Sequence, residues 1–219
     1  MSVVNVCFHG IGVPTRDLEP GEDAYWIERD FFLDVLDLVV GRDDVRLSFD
    51  DGNASDAEIA LPALRARGLT ATFFVVSGRL DQPGSLTRDD VLDLHAAGMT
   101  IGNHGMTHRP WRGLDAAGEH EELVAARDAL AHLIGEPVLD AAAPLGRYDR
   151  RVLLALRRLG YRSAHTSDRR WARADRWVQP RYSIRRGDTL DSVRDGVLTR
   201  PGAASRARGA AVGVVKSLR

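Results

Sequence analysis

Cysteine is almost missing from this chain. Cys7 is the only one in 219 residues. That excludes an intramolecular disulfide framework, so a core must hold the fold, and a chain of this length can bury one without staples. Net charge is missing as well: 30 Lys and Arg against 31 Asp and Glu leave a formal charge of −1. No global attraction to nucleic acid follows, and none is expected as a partner. The stretch from Met1 to Gly10 lacks a basic n-region, and Asn5 and His9 interrupt its short apolar run. Neither a signal peptide nor a membrane anchor is read there. With a lone thiol, the expectation is a reducing cytoplasm. No internal repeat or low-complexity segment stands out.

What is present is an alternation. Val3 to Phe8 reads as a short buried strand, and Gly10 to Pro14 must be a loop. Trp26, Ile27, Phe31, Phe32, Val35 and Leu36 recur at helical spacing. Val45 to Phe49 is a strand. Ser55 to Arg67 is a helix, with Ser55 and Glu58 at capping-box spacing and Gly68 as its stop. Thr70 to Val76 is a strand, and Thr87 to Ala97 a helix with Thr87 and Asp90 at the same capping offset. Met99 to Gly102, Val138 to Ala143, Tyr161 to Thr166 and Val178 to Ile184 complete the strands. Helices are expected over 116–133, 150–159 and 190–198. Short apolar strands alternating with helices argue for a parallel sheet covered by helices, as a closed barrel or an open doubly wound sheet. Either form gathers functional groups at the C-terminal strand ends. His9, Asp50-Asp51, His104 to His108, Pro144-Leu145-Gly146 and Asp168 all lie at or just past such ends. Residues 1–199 read as one domain. Residues 200–219 form a basic tail with no acid, a candidate for weak contact with an anionic membrane surface.

Two stretches carry chemistry. Leu47-Ser48-Phe49-Asp50-Asp51-Gly52-Asn53 ends an apolar strand in adjacent carboxylates, whose desolvated charges need partners. Alone it reads more readily as a turn capping a helix than as an active site. His104 and His108 stand four apart in a segment that Gly102 and Gly105 favour as a loop. Two histidines and a carboxylate with one open position suit a hydrolytic zinc-type site, with Asp51 as the natural third ligand. Such a metal lowers the pKa of its water to about 7 and polarises a carbonyl. Asp50 then serves as general base.

Ser48-Phe49-Asp50-Asp51-Gly52-Asn53 resembles the first motif of the polysaccharide deacetylase family (NodB homology, carbohydrate esterase family 4). Asn103-His104 through His108 resembles its second motif, and Ala142-Ala143-Pro144-Leu145-Gly146 stands in the place of its third. The resemblance covers roughly Val3 to Leu198. It implies a distorted seven-stranded (β/α) barrel and metal-dependent removal of an N-acetyl group, usually from N-acetylglucosamine units. It makes the substrate a carbohydrate. Asp50 would be the base, and Asp51, His104 and His108 would hold a divalent metal: zinc first, with cobalt, nickel or manganese as alternatives. The amide backbone at Leu145, beside Pro144, would stabilise the oxyanion.

The sequence departs from that pattern in three places. The third-motif arginine that steers the catalytic aspartate is replaced by Ala142, with Arg147 and Arg181 as candidate substitutes. Asp168 stands near the place of a fourth-motif aspartate, in what is also an ordinary turn. The late Leu-x-His of the fifth motif is absent, because no histidine follows His165. Cys7-Phe8-His9 has the same form at the other end of the chain. The expectation is that His9, on a strand permuted to the N-terminus, protonates the leaving amine, with His165 in reserve. Trp111, close behind His108, is the favoured sugar platform, ahead of Trp171 and Trp177. Two alternatives stay open: an amidase acting on a non-sugar C–N bond, and a catalytically weakened carbohydrate-binding barrel.

Overall fold

The computed structural model of the protein describes residues 1–200 and 202. Seven parallel strands close into a barrel. They are β1 (Ser2–Phe8), β2 (Val45–Asp51), β3 (Ala71–Val75), β4 (Thr100–Asn103), β5 (Asp140–Ala142), β6 (Ser163–Thr166) and, after a short strand β7 (Ala172–Arg173), β8 (Val178–Ser183). Order around the barrel follows the chain from β1 to β6, then β8, which returns to β1. The closing strand is therefore the first one: Val6 stands opposite Leu47 on one side and Tyr182 on the other. β7 lies outside the barrel, antiparallel to the start of β1.

Alternation along the strands separates two environments. Val4, Val6 and Phe8, with Leu47, Phe49, Phe73 and Ile101, face outward into the main apolar core. Phe49 stacks on Phe73 with centroids 4.6 Å apart, and Phe8 meets Phe32 edge-on at 5.1 Å. The intervening residues face the axis, and this inner face is polar. Asn5 donates to Gln179 at 3.1 Å, and Arg181 reaches Ser48 and Asp50 across the barrel. Both faces of the strands are buried, as their apolar character suggested, but only the outer one is a hydrocarbon core.

The helices are α1 (Arg29–Val39), α2 (Leu61–Ala66), α3 (Arg88–Ala96), α4 (Ala116–His120), α5 (Ala126–Ile134) and α6 (Arg150–Arg158). Thr87 and Asp90 form the expected reciprocal cap of α3. The expected Ser55 cap does not form. The Ser55 hydroxyl instead accepts the Ile11 N–H at 3.2 Å, and the helix opens with a wide π turn, Asp56–Ala60. A second π turn, Glu121–Ala125, joins α4 to α5 where one unbroken helix was expected. The last helix is likewise a π turn, Ser192–Val197. Beyond residues 200 and 202, the basic tail lies outside the described residues.

Candidate active site

The C-terminal ends of β1, β2, β4 and β5 surround a cavity of about 240 Å³ lined by His9, Asp50, Asp51, His104, His108 and Leu145 among others. Asp51 ends β2 in a left-handed conformation (φ 79°), which turns the chain off the sheet into Gly52. His104 follows β4, and its backbone N–H donates to the Val75 carbonyl at 3.0 Å. His108 is also left-handed (φ 60°), as is Leu145 (φ 57°). These are three of the five non-glycine residues with positive φ among the described residues. Strain of this kind persists where the surroundings over-determine it, as at functional sites.

The histidine tautomers follow from their partners. His104 Nδ1 lies 2.8 Å from the Ala142 carbonyl oxygen, and His108 Nδ1 lies 2.8 Å from Glu19 Oε2. Both partners accept, so each ring donates from Nδ1 and bares Nε2 inward. The two Nε2 atoms stand 3.4 and 3.1 Å from Asp51 Oδ1, a buried oxygen without a well-formed hydrogen bond. Three acceptor atoms thus face one another, which repels unless a cation or a proton lies between them. Two nitrogens and one carboxylate oxygen, facing a cavity that leaves a position open, fit a zinc-type ion. In the metal-free protein a proton takes that role. Burial alone would lower His108, but its close contact with Asp51 and the charges of Asp51 and Glu19 push it up to about 9. Burial would raise Asp51, yet the two histidines hold it well below the usual carboxylate range.

Asp50 is clamped from beneath. Arg181, fully buried on β8, donates to Asp50 Oδ1 at 2.6 Å and Oδ2 at 2.7 Å. Its guanidinium also lies 5.0 Å from the centre of the Phe74 ring. Burial would raise Asp50, but Arg181, with help from His104, draws it down to about 2. The carboxylate is therefore ionised at any physiological pH. It stands 3.8 Å from His104 Nε2 and 4.0 Å from His9 Nε2. Of the two arginines weighed against Ala142, Arg181 reaches the aspartate, while Arg147 lines the cavity rim. Neighbouring strands bring Ala142 and His165 into register.

Sequence reasoning missed the groups that brace the histidine loop. Glu19 lies in a loop beside Pro20 and Gly21, with no motif to mark it. It accepts from His108 and pairs with Arg79. Glu122, fully buried in the π turn between α4 and α5, accepts from the Met106 N–H at 2.8 Å and the Thr107 hydroxyl at 2.5 Å. A Cβ on Gly105 would fall 2.2 Å from Glu122 Oε2, so the loop needs glycine there. Only the small residue between two histidines hinted at this approach.

Other expected residues divide. His9 is at the site, its ring 4.7 Å from that of Tyr25. Burial lowers it despite the opposing pull of Asp51 and Asp50. Leu145 lines the cavity, while Pro144 is buried behind it. Trp111 does not serve as a platform: it is fully buried and packs with Leu114, Leu123 and Tyr148 in a second core. Asp168 accepts from the Tyr148 and Thr166 hydroxyls at 2.7 and 2.8 Å, away from the cavity lining. The reserve histidine, His165, belongs to another place. It lines a separate cavity with Asn5, Thr72 and Gln179, near the N-terminal strand ends. Burial, with Arg181, lowers it to about 3.

Comparison with known proteins adds an independent line. Residues 39–164 match the family model described as polysaccharide deacetylase. The chain is 30% identical over 157 residues to the chitooligosaccharide deacetylase of Azorhizobium caulinodans, covering 69% of this chain and 70% of that one. It is 24% identical over 141 residues to YxkH of Bacillus subtilis; the match covers 64% of this chain and only half of that protein. Among solved structures, the Streptococcus pyogenes deacetylase PplD superposes with a TM-score of 0.74 at 19% identity, over 90% of this chain and 98% of that one. At that identity the likeness concerns the fold.

Proposed function

The chain belongs to the polysaccharide deacetylase family, and we propose that it is a metal-dependent hydrolase removing the N-acetyl group from an N-acetylated sugar. The observation that carries this reading is the cavity floor, where three acceptor atoms face one another beside an ionised Asp50. Asp51, His104 and His108 would hold a divalent cation; their two nitrogens and one oxygen suit zinc first, and cobalt, nickel or manganese as well. Such an ion supplies Lewis acidity toward the acetyl carbonyl and acidifies water beside it.

The residues divide the remaining work. Asp50, oriented by Arg181, accepts the proton of the attacking water. Its low pKa makes it a weak base but keeps it ionised, and the acidified water compensates. The amide backbone at Leu145, on the cavity wall, would stabilise the oxygen where negative charge develops. His9, neutral in the resting site and 4.0 Å from Asp50, takes up the proton that Asp50 has removed from water and gives it to the amine as the C–N bond breaks. The charge developing on the substrate favours that uptake. A cavity of about 240 Å³ admits the acetamido group and about one sugar ring, below the roughly 300–1,000 Å³ of drug-sized pockets. The relatives named chitooligosaccharide deacetylases support N-acetylglucosamine oligomers as the substrate class.

The test is acetate release from N-acetylglucosamine oligomers by the full chain, with and without chelation. Activity that chelation removes and zinc restores is expected. Asp50→Asn should lower kcat by about 10²–10⁴, and His9→Ala by a similar factor on this unactivated amide. A His9→Ala enzyme with its metal and full turnover would remove the acid role. Metal binding without acetate release, but with release from a non-sugar amide, would favour the amidase reading.

A further inference from the structure

A second set of metal-capable side chains lies against the first. One ligand atom each from Cys7, His9 and Asp50 lie within 4.8 Å of one another. All three face the barrel axis from neighbouring strands: Cys7 stands in register with Ser48, two residues below Asp50. Cys7 is fully buried; its thiol makes a long contact, 3.5 Å, to its neighbour's carbonyl and also meets the Ser48 hydroxyl. His9 Nδ1 is buried without a partner, and His9 Nε2 stands 4.0 Å from Asp50 Oδ2.

We propose that Cys7, His9 and Asp50 form a second, inhibitory site for a thiophilic divalent cation such as zinc or cadmium. The distances permit it. A tetrahedral ion, bonded at about 2.3 Å to sulfur and about 2.1 Å to nitrogen and oxygen, spaces its ligand atoms roughly 3.3–3.6 Å apart. The present gaps exceed that by no more than about 1.5 Å, which rotamer adjustment of Cys7 and His9 together can close. Asp50 has lone pairs to spare, since each oxygen accepts only one hydrogen bond from Arg181. Burial holds the Cys7 thiol protonated, so binding the ion breaks the S–H bond and releases its proton to solvent. The resulting thiolate sets the preference, since zinc and cadmium bind sulfur well, whereas magnesium and manganese favour oxygen.

This site is weaker than the Asp51–His104–His108 centre, because Arg181 and an ion at that centre both repel a second cation. Its occupation takes His9 and Asp50 out of use together. Inhibition therefore rests on the catalytic roles proposed above, while binding does not. Excess zinc would stop turnover without displacing the first ion, and excess magnesium would not.

Cobalt titration of the metal-free full chain tests the binding. Two equivalents are expected, with sulfur-to-cobalt charge-transfer absorption appearing alongside the second. Cys7→Ser should keep the first equivalent and lose both the second and the band. Cys7→Ala serves as a second variant, because a buried hydroxyl can itself perturb the strand. In the acetate assay both variants should keep basal activity. Their inhibition by zinc should need a concentration higher by at least the roughly tenfold to hundredfold that losing even an outer partner costs a metal site. A single cobalt equivalent without a sulfur band in the unmodified chain overturns the proposal, as does equal zinc inhibition of all three proteins. If no protein releases acetate, the stoichiometry and the band still decide the second site, and only the catalytic reading falls.

Discussion

Arg181 holds Asp50 from a different strand, β8, with both guanidinium prongs on the carboxylate. A fully buried guanidinium costs several kcal/mol to desolvate unless it is well paired, and Asp50 supplies a two-pronged partner. Removing it leaves a buried carboxylate alone. Arg181→Met should destabilise the protein by about 3–5 kcal/mol in denaturant titration. It should also free Asp50 to rise from about 2. Because the base works only when ionised, the acid limb of the kcat/KM profile must then move to higher pH. Arg181→Lys should recover charge but not the paired geometry, so its limb should lie between the two. An acid limb that stays in place would show that Arg181 does not set the state of Asp50. Glu19 makes a parallel case at His108, a proposed metal ligand, since it fixes the ring's Nδ1 proton. Glu19→Ala should weaken zinc binding about 10–100-fold, read by competition with a chelator. Unchanged affinity would reduce Glu19 to a surface partner of Arg79.

At the scale of elements, the loop from Gly105 to His108 has no regular structure and depends on the π turn at Glu121–Ala125. That turn places Glu122 under the Met106 and Thr107 groups. Hydrogen bonds to a charged group contribute about 1.5–3 kcal/mol each. Glu122→Ala should therefore raise amide exchange at Met106 and Thr107 far more than in β2 or β3. A uniform rise would mean general destabilisation instead. Strand ends and helix stops were legible in the sequence, because glycine and paired polar residues interrupt apolar runs there. Thr87 and Asp90 cap α3 as their spacing suggests. Ser55 and Glu58 have the same spacing and fail, because the Ile11 N–H of another segment claims the hydroxyl. The π turns were not legible for the same reason: tertiary contacts set them, and local propensity does not report those contacts.

For the whole molecule, alternation predicted a parallel sheet but left closure open, since closure depends on which strand finds two partners. β1 does: its pairing with β2 sets His9 beside Asp50, and its pairing with β8 brings Arg181 to the same carboxylate from the far end of the sequence. Sequence proximity misled for Trp111, which follows His108 by three residues yet turns into the second core. The closed barrel also gathers enough shifted groups to shape stability against pH. Burial lowers His9, and lowers His165 to about 3, against the usual 6.5. The unfolded chain then binds more protons, so stability falls as pH drops below about 6.5. The contribution of Asp50 is present above 3.8 and is lost toward about 2. His108 acts in the opposite sense. Its folded pKa is raised to about 9, so its contribution is full below 6.5 and lost as pH rises through 9. Asp56, raised by burial and by Asp51 and Asp50, adds a decline that begins at 3.8. Zinc should remove the His108 component by taking the place of its proton, with proton release on binding below pH 9. It should also stabilise by about 2.7 kcal/mol at a hundred times its Kd. Thermal scans of the chelated and zinc-loaded chain over a pH series should thus diverge between pH 6.5 and 9, the chelated form losing Tm faster. Parallel curves across that interval would mean that no proton on His108 stands in for the cation.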